Sequence, residues 1–266
     1  MLRWLNERRR RELLATPFPA PLQELVEQRT PAYELLDAGE RARLRDLVQV
    51  FVAEKRWEGC GGLELTDEIR VTIATMACVM LLGRDHELFA GVETILVYPT
   101  VVELPTVRQY TRNTPKGTVH AGPTSGVRLP SGEIVLAWDV VREDAITRSD
   151  GANVVIHVLS HAIDVLDGLQ DGVPPIADRA VRAAWTSAMQ TAFDTHRARR
   201  EDGEVSFLAD HALESPAEYF AVATESFFEC PMDLARELPD VYGVLRSFFA
   251  LDLAPRSGSS GAPYRT

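Results

Sequence analysis

Two histidines stand four residues apart in the stretch NVVIHVLSHAID, at positions 157 and 161. On an α-helix, residues at this spacing lie about 40° apart around the axis and about 6 Å apart along it, so His157 and His161 share a face. Two imidazoles placed this way can chelate one Zn²⁺. Their neighbours Val154, Val155, Ile156, Val158, Leu159 and Ile163 are apolar, which suits a buried helix that walls a metal off from water. In the commoner pattern, His-Glu-x-x-His, a general base follows the first histidine; here that position is Val158. Without the Glu, the spacing equally fits two histidines on an ordinary helix. Their nitrogens would then need other partners, because an unpaired buried polar group costs about 1–3 kcal/mol. Asp164, three residues after His161, shares its face and is a candidate to orient a histidine or to be a fourth ligand. Asp167 and Gly168 read as a helix end.

A catalytic zinc site commonly takes two His and one Glu and leaves a place for water. The segment HALESPAEYFAVATESFFE offers Glu214, Glu218 and Glu225. Glu218 and Glu225 are seven apart and fall on nearly one helical face. Ser215-Pro216-Ala217-Glu218 also has the form of a capping box, with Ser215 as N-cap and Pro216 at the first helical position, so Glu218 is open between cap and ligand. Glu225 sits among Phe220, Phe227 and Phe228, where a carboxylate needs a partner such as a ligand histidine.

These side chains need helices to present them. Apolar periodicity predicts one helix over NVVIHVLSHAIDVLD, a second over IADRAVRAAWTSAMQTAFDTHRARR, a third from SPAEYFAVATESFF, and a last helical stretch from Pro231 to about Leu251. Upstream, Leu44, Leu47, Val48, Phe51 and Val52 mark a helix in GERARLRDLVQVFVAEKRW. Another helix follows a Gly-rich turn, with Thr66 as N-cap and Gly83 as stop. GVETILVYP and GEIVLAWDV read as strands, and the turn-rich segment between them as hairpin or loop. TPFPAPL should be extended. A strand-bearing front half and a helical back half suggest an α+β fold.

The 266 residues carry a net charge of −11, which argues against a nucleic-acid partner and a broad anionic membrane surface. The longest apolar run, VTIATMACVMLL, is too short to span a bilayer. Cys60, Cys78 and Cys230 form no Cys-x-x-Cys pair and read as reduced thiols of a cytosolic protein. The basic start MLRWLNERRRRELL lacks the features of a secretory signal, and its arginines read as a solvated helix face.

The blocks EKRWEGCGGLELTDEIRVTIA, ILVYP, IVLAWDVV, NVVIHVLSHAIDVLDGLQDGVPP and ESPAEYFAVATESFF together resemble the Mlc titration factor A family of zinc-dependent peptidases. That family is similar in its core to the protease domain of anthrax lethal factor. The resemblance runs from about Arg41 to Phe249. It implies a zincin-like metallopeptidase fold, mainly helical, with a small sheet beside the metal-site helix. Residues 31–250 would form that single domain, after a basic, Pro-rich arm at 1–30 and before a disordered tail at 251–266. It implies Zn²⁺ held by His157, His161 and Glu218, with Glu225 supporting a ligand from behind. It implies a cytoplasmic protein with aminopeptidase-like activity on small peptides, and a transcriptional repressor as protein partner.

Two positions depart from the family pattern: Val158 replaces the Glu that serves as general base, and His211 stands where members carry a Tyr that assists the chemistry. A general base is worth about 10²–10⁴ in rate. His211 can exchange a proton, though from the tyrosine's place rather than the base's. The resemblance therefore implies peptide hydrolysis by zinc-bound water that is weakened. The alternative is an inactive pseudopeptidase that serves as a binding module for a transcriptional regulator or another protein.

Overall fold

The computed structural model describes residues 2–104, 108–111, 114–118, 122–147 and 149–254. Of the tail expected to be disordered, 251–266, residues 251–254 are described, with Leu251 and Leu253 buried in the core, and 255–266 lie outside the described residues. Helices α1 (Leu2–Leu14), α2 (Ala20–Arg29) and α3 (Ala38–Glu54) come first, followed by the short strand β1 (Arg56–Gly59) and helix α4 (Asp67–Cys78). Strands β2 (Thr94–Tyr98), β3 (Val102–Leu104), β4 (Arg108–Thr111), β5 (Thr114–Thr118), β6 (Gly122–Thr124), β7 (Gly126–Arg128) and β8 (Ile134–Ala137) fill the middle of the chain. The rest is helical: α5 (Trp138–Asp144), α6 (Val154–Asp164), α7 (Arg179–Glu201), α8 (Pro216–Glu229), α9 (Pro231–Glu237) and α10 (Pro239–Phe249). The fold is α+β and mostly helical, with one mixed four-stranded sheet.

The sheet order is β1-β2-β8-β7; the first three strands are parallel and β7 runs antiparallel to β8 at the edge. Every residue of β8 is buried, as expected of a strand covered on both faces. β1 had been expected as the end of the preceding helix. Its sequence, Arg-Trp-Glu-Gly, is mostly exposed and lacks apolar alternation, so only its ladder to β2 identifies it as a strand. The turn-rich segment between β2 and β8 holds two nested antiparallel ladders, β3 with β6 and β4 with β5, and then β7.

Local chemistry sets the helix boundaries. Asp37 and Glu40 close a capping box on α3, and Thr66 Oγ1 accepts the Ile69 N–H to start α4, as its sequence suggested. The C-terminal stretch expected as one helix divides into α9 and α10. Cys230 and Leu238 both precede a proline and both leave the helical region, at φ/ψ of −136°/61° and −135°/65°. Steric conflict with the proline ring disfavours helical backbone at such a residue. Helix α2, in the N-terminal arm, packs on α4 and buries Val26 completely.

The core is gathered around α4, α6 and α8, which are apolar on nearly all sides. α6 packs along α8 on one side and against β7 and β8 on the other, so the paired histidines sit at the junction of sheet and helices. Gly126 makes that junction possible. A Cβ there would lie 2.6 Å from Val154 Cγ2 and 2.8 Å from Val158 Cγ2, so the edge strand rests directly on α6. No helix among the described residues is long and apolar enough to cross a membrane.

Candidate metal centre

Helix α6 begins at Asn153, whose Oδ1 accepts the Ile156 N–H at 3.1 Å. One turn later His157 and His161 project together, with their Nε2 atoms 3.2 Å apart. Helix α8 is capped by Ser215, whose Oγ accepts the Glu218 N–H at 3.1 Å. That cap uses only the backbone of Glu218. Its side chain crosses to α6 instead, with Oε2 at 3.1 Å from His157 Nε2 and Oε1 at 3.3 Å from His161 Nε2.

Two ring nitrogens 3.2 Å apart and a carboxylate with one oxygen 3.1 Å from the first and the other 3.3 Å from the second thus face one another. Two ligand atoms each about 2 Å from a tetrahedral Zn²⁺ stand about 3.2–3.4 Å apart, which the spacing of the two imidazole nitrogens matches. The arrangement is poorly satisfied by protons alone. Burial pulls the His157 pKa down, but hydrogen bonds to Glu218 and Glu225 outweigh it and carry the imidazole up to about 10. Burial likewise pushes Glu218 up, yet the two imidazoles hold it well below the usual carboxylate range. For both imidazoles to donate to Glu218, their two Nε2–H groups must crowd together at 3.2 Å. A divalent cation satisfies all three side chains, so the donor set fits a metal.

Glu225 lies behind His157. Its Oε1 is 2.7 Å from His157 Nδ1, and its Oε2 accepts the Asn153 N–H at 2.6 Å. One carboxylate therefore ties the ring to the start of its own helix. It also holds a proton on Nδ1, which leaves the Nε2 lone pair for a ligand. His157, His211 and Glu225 also bring donor atoms within 4.8 Å of one another. Both Glu225 oxygens are already committed to hydrogen bonds there, so this second grouping reads as support for the first.

Further carboxylates secure the helix start. Asp144 Oδ2 accepts the Val154 N–H at 2.7 Å, and Glu229 accepts from Asn153 Nδ2 at 2.8 Å and from the Ser149 N–H at 3.2 Å. Acceptors at a helix N-terminus meet free N–H groups and the positive end of the dipole. Burial nonetheless pushes Asp144 up to about 6 and Glu229 up to about 7. Sequence reasoning missed Asn153, Asp144 and Glu229 as parts of the site. Asn before an apolar helical run was a legible cap signal. Glu229, 76 positions from Asn153, gave none.

The remaining expected residues are placed as follows. His211 is exposed, in a 3-10 turn at Asp210–Glu214, with its ring centroid 6.0 Å from that of His157. Val158 is completely buried under β7. Asp164 had been expected beside a histidine; it is fully buried, and its Oδ2 accepts the Gly172 N–H at 3.1 Å. Burial pushes it up to about 7. Its visible task is to anchor the loop that leads to α7. Gly172 is itself constrained, because a Cβ there would stand 2.3 Å from Pro216 O.

Comparison with known proteins agrees with a metal-bearing site. The sequence model of the glucose-regulated metallo-peptidase M90 family matches residues 4–250. An uncharacterized protein of Synechocystis sp., slr2042, is 32% identical over 256 residues, covering 94% of this chain and 90% of its own. Proteins called Mlc titration factor A are similar: that of Serratia proteamaculans is 31% identical over 246 residues (91% of this chain, 86% of its own). That of Yersinia enterocolitica is 32% identical over 249 residues (91% and 85%). With a match across nearly the whole described chain and a donor set able to hold a metal, this chain belongs to the glucose-regulated metallo-peptidase M90 family.

Proposed function

We propose that this chain is a zincin-like zinc protein of peptidase descent, with His157, His161 and Glu218 as ligands and with weak peptide hydrolysis. The carrying observation is the convergence of His157 and His161 Nε2, 3.2 Å apart, on the two Glu218 oxygens at 3.1 and 3.3 Å, beside a base position filled by the fully buried Val158. When bound, zinc supplies Lewis acidity and lowers the pKa of water toward about 7. Glu225 orients His157 from behind. Valine neither accepts a proton nor holds a water, and losing a general base costs about 10²–10⁴ in rate. Among the described residues His211 is the exposed imidazole close to His157 and takes the part of a proton donor to a leaving group or a developing oxyanion.

A second reading, a binding module without hydrolysis, is favoured by the packing of Val158. Its methyl lies against Gly126 of the edge strand, so hydrocarbon packed on the sheet occupies the position where a base would stand. Relatives named Mlc titration factor A suggest the partner: a transcriptional regulator of the Mlc kind, gripped as a protein or peptide. We place the chain in the cytoplasm, in keeping with three free cysteines, two of them buried. The deciding experiment compares native and Val158→Glu protein on short chromogenic peptides, with metal analysis of both. A rise of about 10²-fold or more supports a peptidase site lacking only its base. A Val158→Glu protein that binds zinc and stays inert supports the binding module.

A further inference from the structure

The last turns of α7 grip the segment that follows them. His196, Arg199 and Arg200 are three and four residues apart and share a helix face. Arg199 Nε donates to Glu204 Oε2 at 2.9 Å, and Arg200 Nε pairs with Asp210 Oδ2 at 2.9 Å. His196 is only 4% exposed, yet neither ring nitrogen has a hydrogen-bond partner among the described residues. Its Nε2 stands 3.9 Å from Asp210 Oδ1. Its ring lies against Tyr219 of α8, with centroids 6.1 Å apart. Asp210 opens the short turn that carries His211 and leads through Ser215 to Glu218.

We propose that His196 is a positioning residue for the metal site: on taking up a proton it closes onto Asp210 and so fixes the turn that carries His211. This rests on the reading of His211 as a working group of that site. The neutral ring is 3.9 Å from its nearest carboxylate oxygen, outside hydrogen-bonding range, whereas an imidazolium would draw that oxygen to about 2.7–2.9 Å. The groups that face it are Asp210, which favours the proton, and Arg199 and Arg200, which oppose it. From α8 the Tyr219 ring packs against it, its hydroxyl held neutral because burial pushes its pKa up. Burial keeps His196 below the ordinary histidine value, despite the pull of Asp210. At neutral pH Asp210 is therefore held from α7 through Arg200, and on acidification His196 adds a second tie to its free oxygen.

Histidine-labelled full-length protein, followed by ¹H–¹³C correlation spectra from pH 7.5 to 5, tests this. The chain has six histidines, and single His→Gln variants assign them. His196 should titrate below the ordinary histidine value, and lower still in Asp210→Asn. The His211 ring signals should change position at the His196 midpoint as the turn moves, a change lost in both His196→Gln and Asp210→Asn. Asp210 is 58% exposed in its side chain, so its variant leaves the core intact even where His196→Gln disturbs it. A His196 midpoint unmoved by Asp210→Asn, or His211 signals that show the same change at that midpoint in native and His196→Gln protein, overturns the proposal. Zinc content of the same samples separates the two ideas: coupled titration without bound zinc keeps the latch and refutes the metal reading, and bound zinc without coupling refutes the latch alone.

Discussion

Replacing Glu225 by Gln removes one charge and almost no volume, so its effect isolates how the histidine is held. The carboxylate now accepts two hydrogen bonds, from His157 Nδ1–H at 2.7 Å and from the Asn153 N–H at 2.6 Å. A Gln amide has one oxygen and one NH₂, so it can accept only one of them. If the oxygen stays with the buried Asn153 N–H, the NH₂ meets His157 Nδ1, and the imidazole must carry its proton on Nε2, the atom aimed at the metal. If the oxygen turns to His157, the Asn153 N–H is left facing a donor, at a cost of about 1–3 kcal/mol. Either choice weakens the site, and loss of such an outer partner typically lowers metal affinity about 10–100-fold. That factor corresponds to about 1.4–2.8 kcal/mol. Competition between untagged protein and a chromogenic chelator measures it directly, with metal-free melting curves to register any separate loss of fold stability. Zinc affinity of Glu225→Gln within twofold of native would refute the argument that Glu225 sets the His157 tautomer.

Zinc binding near pH 7 should release a proton from His157, because that imidazole, carried up to about 10, is protonated in the metal-free site and must lose its Nε2 proton to ligate. Calorimetry in buffers of different ionisation enthalpy counts it, and binding without proton release contradicts the site. Metal-free protein should lose stability as pH rises through 6 and 7. Asp144 and Glu229, raised to about 6 and about 7, bind protons more tightly folded than unfolded, so their contribution is complete below the ordinary carboxylate range and is lost above those values. The slope is at most about 1.4 kcal/mol per pH unit for each group, and chemical denaturation that gains stability from pH 5 to 7.5 would go against it. Gly126→Ala should destabilise by about 1–3 kcal/mol through its clash with Val154 and Val158, and Val158→Ala should recover part of that loss in the double variant. Additive losses would show that β7 does not rest on Val158.

The parts of the site that were legible in the sequence are those with a local rule behind them. His157 and His161 announce themselves because four residues make nearly one turn. Ser215 and Pro216 announce the start of α8 in the same way, and the cap they form is present. The ambiguity at Glu218 came from a rule that describes the backbone: Ser215 takes the Glu218 N–H and leaves the carboxylate to be claimed by tertiary contacts. Asp164 was misleading for the converse reason. Sharing a face with His161 says nothing about Gly172, which lies eight residues on and takes its oxygen. Asp144 and Glu229 reach the start of α6 from other elements, across distances no local pattern encodes. For the fold, the helices carried strong periodicity. β1 did not, because an edge strand of polar residues looks like the end of a helix until its partner is known. The break between α9 and α10 follows from Pro239 acting on Leu238, a local effect that a continuous apolar pattern concealed.

The decisive measurement is the metal content of protein purified without a histidine tag, native beside His161→Ala. One equivalent of zinc per chain, lost in the variant, is what two imidazole nitrogens 3.2 Å apart facing the Glu218 carboxylate require. A small fraction of an equivalent, the same in both proteins, would mean that His157, His161 and Glu218 gather around no metal at all.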